Sequence, residues 1–404
     1  MLCTRRSLVL VPASLREELR AARKRAPGSE FRADPGRGTG RGAAGETGTK
    51  TRDLRVQSIR PLIPPAILLE ELPLTESQAA AVSGAREAIT DILHGRDDRL
   101  LVVVGPCSIH DRVAALEYAR RLQSLTATLA EDLCVVMRTY FEKPRTTVGW
   151  KGLINDPHLD GSFAVNPGLR LARQVILDVV ELGLPVGCEF LDPISPQYFA
   201  DAVAWAAIGA RTTESQIHRQ LVSGLSMPVG FKNGTDGRVQ IAIDAVRAAA
   251  HPHHFLGVTE QGLAAIVATR GNPDCHVILR GGESGTNYDA ASVQQTLDAL
   301  RAAGLPPRLM IDTSHGNSAK DHRRQGLVAA EVAAQVAGGE AGIVGVLVES
   351  FLVEGRQDLS TATGGAQLVY GQSITDACIG WEGTVSVLHE LAGAVRRRRT
   401  AAAP

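Results

Sequence analysis

From Leu100 onward the chain repeats one pattern of hydrophobic and polar positions: a short apolar run, a polar residue, and a longer stretch with helical period. The eight apolar runs are Leu100–Val104, Leu133–Met137, Pro185–Cys188, Ala206–Ala210, Pro228–Phe231, Val277–Leu279, Leu309–Ile311 and Ile343–Val348. Apolar strands that alternate with helices are typical of a parallel sheet buried on both faces. Eight units predict an α/β fold of the (β/α)8 TIM-barrel class, whose active site lies at the C-terminal ends of the strands.

The segments between these runs have the period and length of helices. The clearest are Arg112–Leu129, Leu169–Leu182, Ser292–Ala303 and Lys320–Ala337. Ahead of the barrel, Thr75 and Gln78 have capping-box spacing, which predicts a helix that runs to about Leu93 and stops at Gly95. Three prolines at positions 61, 64 and 65 predict an extended piece before that helix.

Residues 1–52 differ in composition from the rest of the chain. They contain seven glycines between Gly28 and Gly48, and 12 Lys and Arg against 5 Asp and Glu. We therefore expect a disordered basic extension at 1–52. An N-terminal arm and helix should follow at 53–98 and make regulatory or oligomer contacts. The catalytic barrel should span 99–398, with a short tail at 399–404.

Composition narrows the functional class. The chain has 404 residues, of which 44% are apolar, but no uninterrupted apolar run is long enough to span a membrane. Its 43 basic residues balance 43 acidic ones, which excludes a chain that is basic throughout, as a nucleic-acid coat would be. Its six cysteines are scattered without a CxxC pair. They indicate reduced thiols and a cytoplasmic location; acidic residues in the first 52 argue against a transit peptide.

Four cations follow four separate strands of the predicted barrel: Arg138, Arg211, Lys232 and Arg280. A single strand-end cation is more often part of a surface salt bridge. If the barrel closes, however, the four converge on one cavity, and phosphate is the anion that suits Arg and Lys together. The loop Lys143–Thr147 adds a second cationic group. Two such groups suggest two phosphorylated ligands or one bisphosphate.

A second set of strand-end residues has the chemistry of metal ligands. It consists of Cys107, His315, Glu349 and Asp376. A thiolate, an imidazole and two carboxylates suit a divalent transition metal with an open position. The four residues are far apart in sequence, so a buried structural cysteine beside unrelated polar residues remains the alternative.

Seven motifs occur in an order that resembles the microbial class I 3-deoxy-D-arabino-heptulosonate 7-phosphate (DAHP) synthases. They are Gly105–Asp111, Lys143–Gly152, Gly209–Ser215, Gly230–Asp236, Leu279–Gly282, Asp312–Asn317 and Ser373–Gly380. The resemblance covers about Asp53 to Arg398. It implies a TIM-barrel transferase that condenses phosphoenolpyruvate with erythrose 4-phosphate, the entry step of the shikimate pathway.

The resemblance also implies roles for individual residues. The ligands of one divalent metal ion (Mn, Fe, Co or Zn) would be Cys107, His315, Glu349 and Asp376. The contacts to phosphoenolpyruvate would be Arg138, Lys143, Arg211, Lys232 and Arg280. The contacts to erythrose 4-phosphate would be Pro144, Arg145 and Thr146. Lys143 would serve as general acid, next to the catalytic metal ligands Cys107 and His315. Glu189 could position the attacking water, although a structural salt bridge is an equal alternative.

Members of the resembled family are commonly inhibited by an aromatic amino acid. Gly257 favours tyrosine in that comparison, because it leaves room for a phenolic hydroxyl; the alternative is that Gly257 only serves a turn. A homo-oligomer, dimer or tetramer, is expected, without nucleic-acid or membrane partners. Two other functions remain to be weighed: a 3-deoxy-octulosonate 8-phosphate synthase-like enzyme, which the Lys143–Thr147 loop disfavours, and a non-catalytic regulatory paralogue.

Overall fold

The computed structural model describes residues 51–145, 149–359 and 368–402. The chain divides into two units, Met1–Ile59 and Arg60–Pro404. In the first unit the described residues 51–59 are exposed, and Val56 N donates to Asp53 O at 3.2 Å. Residues 1–50 of the predicted extension lie outside the described residues.

The second unit is built on a closed barrel of parallel strands, so the predicted (β/α)8 class is confirmed. Its strands are β1 (Leu100–Gly105), β2 (Leu133–Arg138), β3 (Val186–Glu189), β4 (Trp205–Ile208), β5 (Val229–Lys232), β8 (Cys275–Leu279), β9 (Leu309–Asp312) and β10 (Ile343–Glu349). Around the barrel the order is β1-β10-β9-β8-β5-β4-β3-β2. Each of the eight predicted apolar runs overlaps one barrel strand, because both faces of these strands are buried.

Helices connect the strands and precede the barrel. They are α1 (Pro65–Glu71), α2 (Glu76–His94), α3 (Arg112–Thr126), α4 (Val165–Glu181), α5 (Pro196–Phe199), α6 (Gln216–Val222), α7 (Gln240–Ala249), α8 (Ala290–Ala302), α9 (Gln325–Ala337) and α10 (Trp381–Ala402). Short 3-10 turns occupy Ala200–Ala202 and His322–Arg324. The last helix continues through most of the segment that the sequence suggested as a tail.

Helix α2 confirms the sequence signals at both of its ends. The Thr75 side chain accepts from Gln78 N, the Gln78 side chain accepts from Thr75 N, and Gly95 closes the helix in the left-handed region with φ 72°. The extended piece predicted before it was wrong from Pro65 onward, where α1 begins. Proline suits the first turn of a helix because its fixed φ is already helical and the N–H it lacks would have no partner there.

Helix α2 also closes one end of the barrel. Ile89, Ile92 and Leu93 pack in the same buried cluster as the inward-facing strand residues Leu101 and Met310. The N-terminal end of the barrel is therefore filled with apolar side chains, and the polar chemistry lies at the opposite end. None of the described helices has the length and apolarity needed to cross a bilayer.

Two small sheets were not predicted from the sequence. Strands β6 (His254–Val258) and β7 (Ala264–Ala268) form an antiparallel hairpin between α7 and β8. Strands β11 (Val353–Arg356) and β12 (Gln372–Ser373) pair beside the end of β10. The strands of both sheets are short and partly exposed; β7 is apolar throughout, but it does not end in a charged residue as several barrel strands do.

Candidate active site and metal centre

A cavity of about 780 Å³ opens at the C-terminal end of the barrel. Four of the predicted cations line it: Lys143, Arg211, Lys232 and Arg280. Each follows or ends a different strand, so barrel closure brings residues that are distant in sequence to one wall. Pro144 and Arg145 also line this cavity, together with His315, Glu349 and Asp376.

Among the described residues, Arg138 is the one cation predicted to contact phosphoenolpyruvate that does not line the cavity; it lies behind the cavity wall. Its side chain is 1% exposed, and its Nη2 donates to Glu349 Oε1 at 3.1 Å. The guanidinium carbon also lies 4.0 Å from the centroid of the Tyr140 ring. Within the described chain, Arg138 Nη1 has no hydrogen-bond partner. Arg138 is therefore oriented by a predicted metal ligand on one side and an aromatic face on the other.

Three of the four predicted metal ligands form one cluster. The donor atoms of Cys107, Glu349 and Asp376 lie within 4.8 Å of one another. His315 Nε2 lies 3.9 Å from Glu349 Oε1, at the edge of this cluster. A soft sulfur donor, an imidazole and two carboxylates fit a divalent transition metal better than they fit magnesium or calcium, which prefer oxygen ligands alone.

The electrostatics of the cluster are those of a cation site. Burial and the Glu349 carboxylate raise the pKa of the Cys107 thiol to about 12. Burial alone would raise the pKa of Asp376, but the charges of Lys143 and His315 lower it to about 2. The carboxylate is thus ready to coordinate, whereas the thiol needs a cation nearby to become a thiolate.

A hydrogen bond to Ser314 and a close contact with the Asp312 carboxylate orient His315. Its Nδ1 lies 3.0 Å from Asp312 Oδ2 and 2.7 Å from Ser314 Oγ, which leaves Nε2 facing the cluster. The backbone of His315 has φ 55°, a conformation that non-glycine residues rarely adopt. A carboxylate on the far nitrogen of a ligating histidine fixes its tautomer and its ring orientation.

Gln325, at the start of α9, holds the backbone of Glu349. Its Oε1 accepts from Glu349 N and its Nε2 donates to Glu349 O, each at 2.9 Å. The Gln325 side chain is fully buried and also accepts from Thr313 Oγ1 at 3.0 Å. Helix α9 therefore begins at the position where it fixes a predicted ligand at the end of β10.

The loop after β2 brings Lys143 to the cluster. Lys143 Nζ lies 3.1 Å from Cys107 Sγ, and its backbone N donates to Lys151 O at 2.9 Å. Arg145 Nε donates to Trp150 O at 2.9 Å. Thr146 lies outside the described residues, so its predicted contact is not described.

The neighbouring residue Glu142 anchors this loop to the next one. Its carboxylate accepts from Asp192 N at 3.0 Å and from Ser195 Oγ at 2.8 Å. Burial raises the pKa of Glu142 to about 7. No sequence signal singled out this residue, because one glutamate beside a cationic loop has no distinctive spacing.

Gly257 does not belong to this cavity. It lies in β6, opposite Ala265 of β7, and its φ is not among the left-handed values of the chain. A Cβ added to Gly257 would lie 2.6 Å from Val267 Cγ2. The alternative that Gly257 only serves a turn was therefore wrong, since Gly257 lies within a strand and a Cβ there would require Val267 to move.

Several polar residues of the cavity were not predicted from the sequence. They are Thr235, Ser314, Ser318, Lys320, His322, Gln325 and Arg356. Ser314 lies inside a motif that was recognised, so the signal was present. Arg356 ends β11, a strand that the hydrophobic pattern did not reveal. Glu189 also lines the cavity, and among the described residues it forms no ion pair.

Comparison with known proteins gives a consistent result. Residues 71–389 match the family model described as the DAHP synthetase I family. The chain is 60% identical over 347 residues to the Phe-sensitive phospho-2-dehydro-3-deoxyheptonate aldolase of Escherichia coli, covering 86% of this chain and 98% of the relative. It is 56% identical over 348 residues to the tyrosine-inhibited enzyme of that name from Schizosaccharomyces pombe, covering 86% and 94%.

A solved structure agrees with both the fold and the family. The phospho-2-dehydro-3-deoxyheptonate aldolase of Francisella tularensis superposes with a TM-score of 0.83 at 50% sequence identity. The match covers 85% of this chain and 99% of that structure. On this evidence the chain belongs to the DAHP synthetase I family.

Proposed function

We propose that this chain is a metal-dependent DAHP synthase, a transferase that converts phosphoenolpyruvate, D-erythrose 4-phosphate and water into DAHP and phosphate. The observation that carries the proposal is one cavity lined by four cations, an imidazole and two carboxylates, with the buried Cys107 thiol within 4.8 Å of both carboxylates. Two phosphorylated substrates need several cations, and carbon–carbon bond formation at an aldehyde needs an electrophilic partner. The reaction is the first step of the shikimate pathway.

Phosphoenolpyruvate binds to the cations of the cavity wall. Arg211, Lys232 and Arg280 reach the wall from separate strands and surround one anion, which neutralises the phosphate and fixes its position. Asn233 Oδ1 accepts from Arg280 N at 2.8 Å and so fixes the end of β8. Arg138 supports the site from behind through Glu349.

Erythrose 4-phosphate binds at the loop after β2. Pro144 and Arg145 line the same cavity as the phosphoenolpyruvate cations, so the two substrates meet inside it. The bond from Arg145 Nε to Trp150 O leaves the other guanidinium nitrogens for the sugar phosphate. The resemblance also assigns Thr146 to this phosphate; that residue lies outside the described residues.

The residues that would hold the metal are Cys107, His315, Glu349 and Asp376, with Mn, Fe, Co or Zn as the candidate ions. When bound, a divalent cation supplies Lewis-acid stabilisation of the negative charge that grows on the aldehyde oxygen. No change in the redox state of the ion is needed, so the choice among these metals depends on affinity and availability.

The chain's own residues handle the proton and the water. The enol carbon of phosphoenolpyruvate bonds to the aldehyde carbon, and Lys143 Nζ gives a proton to the aldehyde oxygen. Water then attacks the cationic second carbon of the enolpyruvate and loses one proton, which restores Lys143; the carbon–oxygen bond to phosphate breaks as the new hydroxyl gives its proton to the departing phosphate and becomes the ketone. Glu189 lies on the cavity wall and orients that water.

A coupled assay tests this function. Purified protein should release phosphate when phosphoenolpyruvate and erythrose 4-phosphate are both present, and a chelator should abolish the release. Arabinose 5-phosphate in place of erythrose 4-phosphate tests the octulosonate-type alternative. Turnover with the pentose phosphate alone, or turnover by a sample that mass spectrometry shows to be metal-free, would contradict the proposal.

Regulation and assembly involve the arm and the β6–β7 hairpin. Ala66 N at the start of α1 donates to Glu260 O in the hairpin turn at 2.7 Å. The outer face of the hairpin exposes Leu256 and Ile266 to 90% and 79%. A homo-oligomer that covers this face, and an aromatic effector, preferably tyrosine, bound near Gly257, account for both features. The five described cysteines are free thiols, which suits a cytoplasmic enzyme.

A further inference from the structure

The metal cluster and the anion-binding cations are in contact at three points. Lys143 Nζ lies beside Cys107 Sγ, and Arg138 Nη2 beside Glu349 Oε1. The third contact is indirect. Asp312, at the end of β9, lies between His315 and Lys232 and is neither a predicted ligand nor part of the cavity wall.

One oxygen of Asp312 lies in charge contact with two partners, although within the described chain it accepts no hydrogen bond of normal geometry. Asp312 Oδ2 lies 2.9 Å from Lys232 Nζ and 3.0 Å from His315 Nδ1. The other oxygen, Oδ1, accepts from Ser314 N at 3.0 Å and from Ser314 Oγ at 2.6 Å. The carboxylate is 0% exposed and Lys232 is 3% exposed, so water does not screen these contacts.

The backbone around Asp312 is fixed as well. Asn317 Nδ2 donates to Asp312 O at 2.9 Å and to Leu279 O at 3.2 Å, which ties β9 to β8. Thr313 N donates to Leu347 O at 2.9 Å on the other side. Asp312 therefore cannot follow one partner without changing its distance to the other.

We infer that Asp312 is a positioning residue that couples metal binding at His315 to phosphate-ester binding at Lys232 through its single shared oxygen. The inference rests on the proposed function. A cation held at His315 Nε2 would make the imidazole more positive, which would strengthen its attraction for Asp312 Oδ2 and weaken the hold of that oxygen on Lys232. Lys232 is then freer to bind an anion, and linkage requires the anion to favour the metal equally.

The test measures coupling rather than activity. The dissociation constant of Mn²⁺ is determined by calorimetry for wild type, with and without saturating phosphoenolpyruvate, and the same is done for Asp312→Asn. We expect phosphoenolpyruvate to tighten Mn²⁺ binding in wild type, and the tightening factor to fall by roughly fivefold or more in Asp312→Asn. Direct attraction between the metal and the anion is the same in both proteins, so the fall in the tightening factor measures the part of the coupling that depends on Asp312.

A residue with a purely structural role would give another result. It would weaken both ligands in the variant while leaving the tightening factor unchanged, and that outcome overturns the inference. Asp321→Asn is the matched control, because Asp321 lies on the same β9–α9 connection but pairs with the exposed Arg323. It should retain the wild-type factor.

Two further measurements keep the test decisive. If circular dichroism shows that Asp312→Asn is unfolded, Ser314→Ala replaces it; removing the hydroxyl donor to Oδ1 should lower the tightening factor, and an unchanged factor overturns the inference. If wild type binds neither Mn²⁺ nor phosphoenolpyruvate, the proposed function itself fails. Binding of both ligands with unaltered coupling in the variant rejects the role of Asp312 alone.

Discussion

The mouth of the barrel and the β6–β7 hairpin are built in opposite ways. At the mouth, charged side chains such as Arg138, Lys232 and Asp312 are almost fully buried, and each has a charged partner. On the hairpin, the apolar side chains of Leu256 and Ile266 are almost fully exposed. Buried, paired charges hold the side chains of the mouth in one geometry. An exposed apolar surface can be buried by another molecule, and that burial favours binding. Substitutions at the mouth should therefore change chemistry, and substitutions on the hairpin should change assembly and regulation.

The strongest test of this contrast is Cys107→Ser. A hydroxyl is a poor replacement for a thiolate ligand, so we expect metal content to fall and turnover to drop by at least about a hundredfold, since even indirect partners of metal ligands cost 10–100-fold. Turnover and metal content by mass spectrometry are measured on the same sample. Cys134→Ser, a buried cysteine of β2 outside the cavity, is the control. Equal loss in both variants would mean that packing, not metal binding, is responsible.

A second test at the mouth uses pH. Burial holds the pKa of Glu142 at about 7 against an ordinary value of 4.5. The folded protein therefore binds more protons than the unfolded chain between these values, so the stability that this group contributes is complete below about pH 4.5 and is lost as pH rises through 7. Glu142→Gln should remove up to about 3 kcal/mol of this decline in the unfolding free energy.

Urea denaturation at pH 5 and pH 8 measures the effect of Glu142→Gln. The exposed Glu331→Gln on α9 is the matched control and should leave the pH dependence unchanged. If wild type and Glu142→Gln lose stability in parallel between the two pH values, Glu142 does not titrate as described. The contacts that Glu142 makes with Asp192 and Ser195 would then have to be explained without a raised pKa.

A third substitution separates the two substrates. Arg145→Ala should raise KM for erythrose 4-phosphate by roughly 10–100-fold, because a hydrogen bond between charged groups contributes about 1.5–3 kcal/mol. KM for phosphoenolpyruvate should change little. Arg211→Ala should give the reverse pattern, and the two variants control for each other. If both raise both KM values equally, the cavity does not divide into two phosphate sites.

The sequence predicted the mouth far better than the hairpin, and the reason is physical. Barrel strands are buried on both faces, so they produce apolar runs that end where the chemistry begins. The shared position of Asp312 between Lys232 and His315 depends on the packing of β5 against β8 and of β8 against β9, which no local pattern reveals. The hairpin strands contain glycine and alanine. Leu256 and Ile266 are exposed at positions where a half-buried strand usually has polar residues, so the usual alternation of apolar and polar residues is absent.

A charge on the hairpin should affect assembly without affecting catalysis. Leu256→Asp places a carboxylate on the exposed face, so an oligomer that buries this face should dissociate at least about tenfold more readily, since unpaired buried charge is costly. Light scattering over a range of protein concentrations measures the state of assembly. Ile217→Asp on α6 is the control, because Ile217 is 57% exposed but is not part of the hairpin strands. Dissociation in both variants, or in neither, would reject the hairpin as the interface.

The smallest expected effect is at Gly257 in β6 of the hairpin. A serine there would place its Cβ 2.6 Å from Val267 Cγ2, so the Val267 side chain must turn away. Because Phe255 lies 3.9 Å from the same point, the change alters the space between these two side chains. We expect tyrosine to inhibit wild type most strongly and the Gly257→Ser variant to shift toward phenylalanine, by roughly fivefold in relative affinity, the lower end of ordinary coupling between sites. Titration of tyrosine, phenylalanine and tryptophan into both proteins measures the shift. Dominant inhibition of wild type by phenylalanine or tryptophan would reject the effector assignment, while the assignment of the barrel mouth as the catalytic site would stand, because the two regions share no residue.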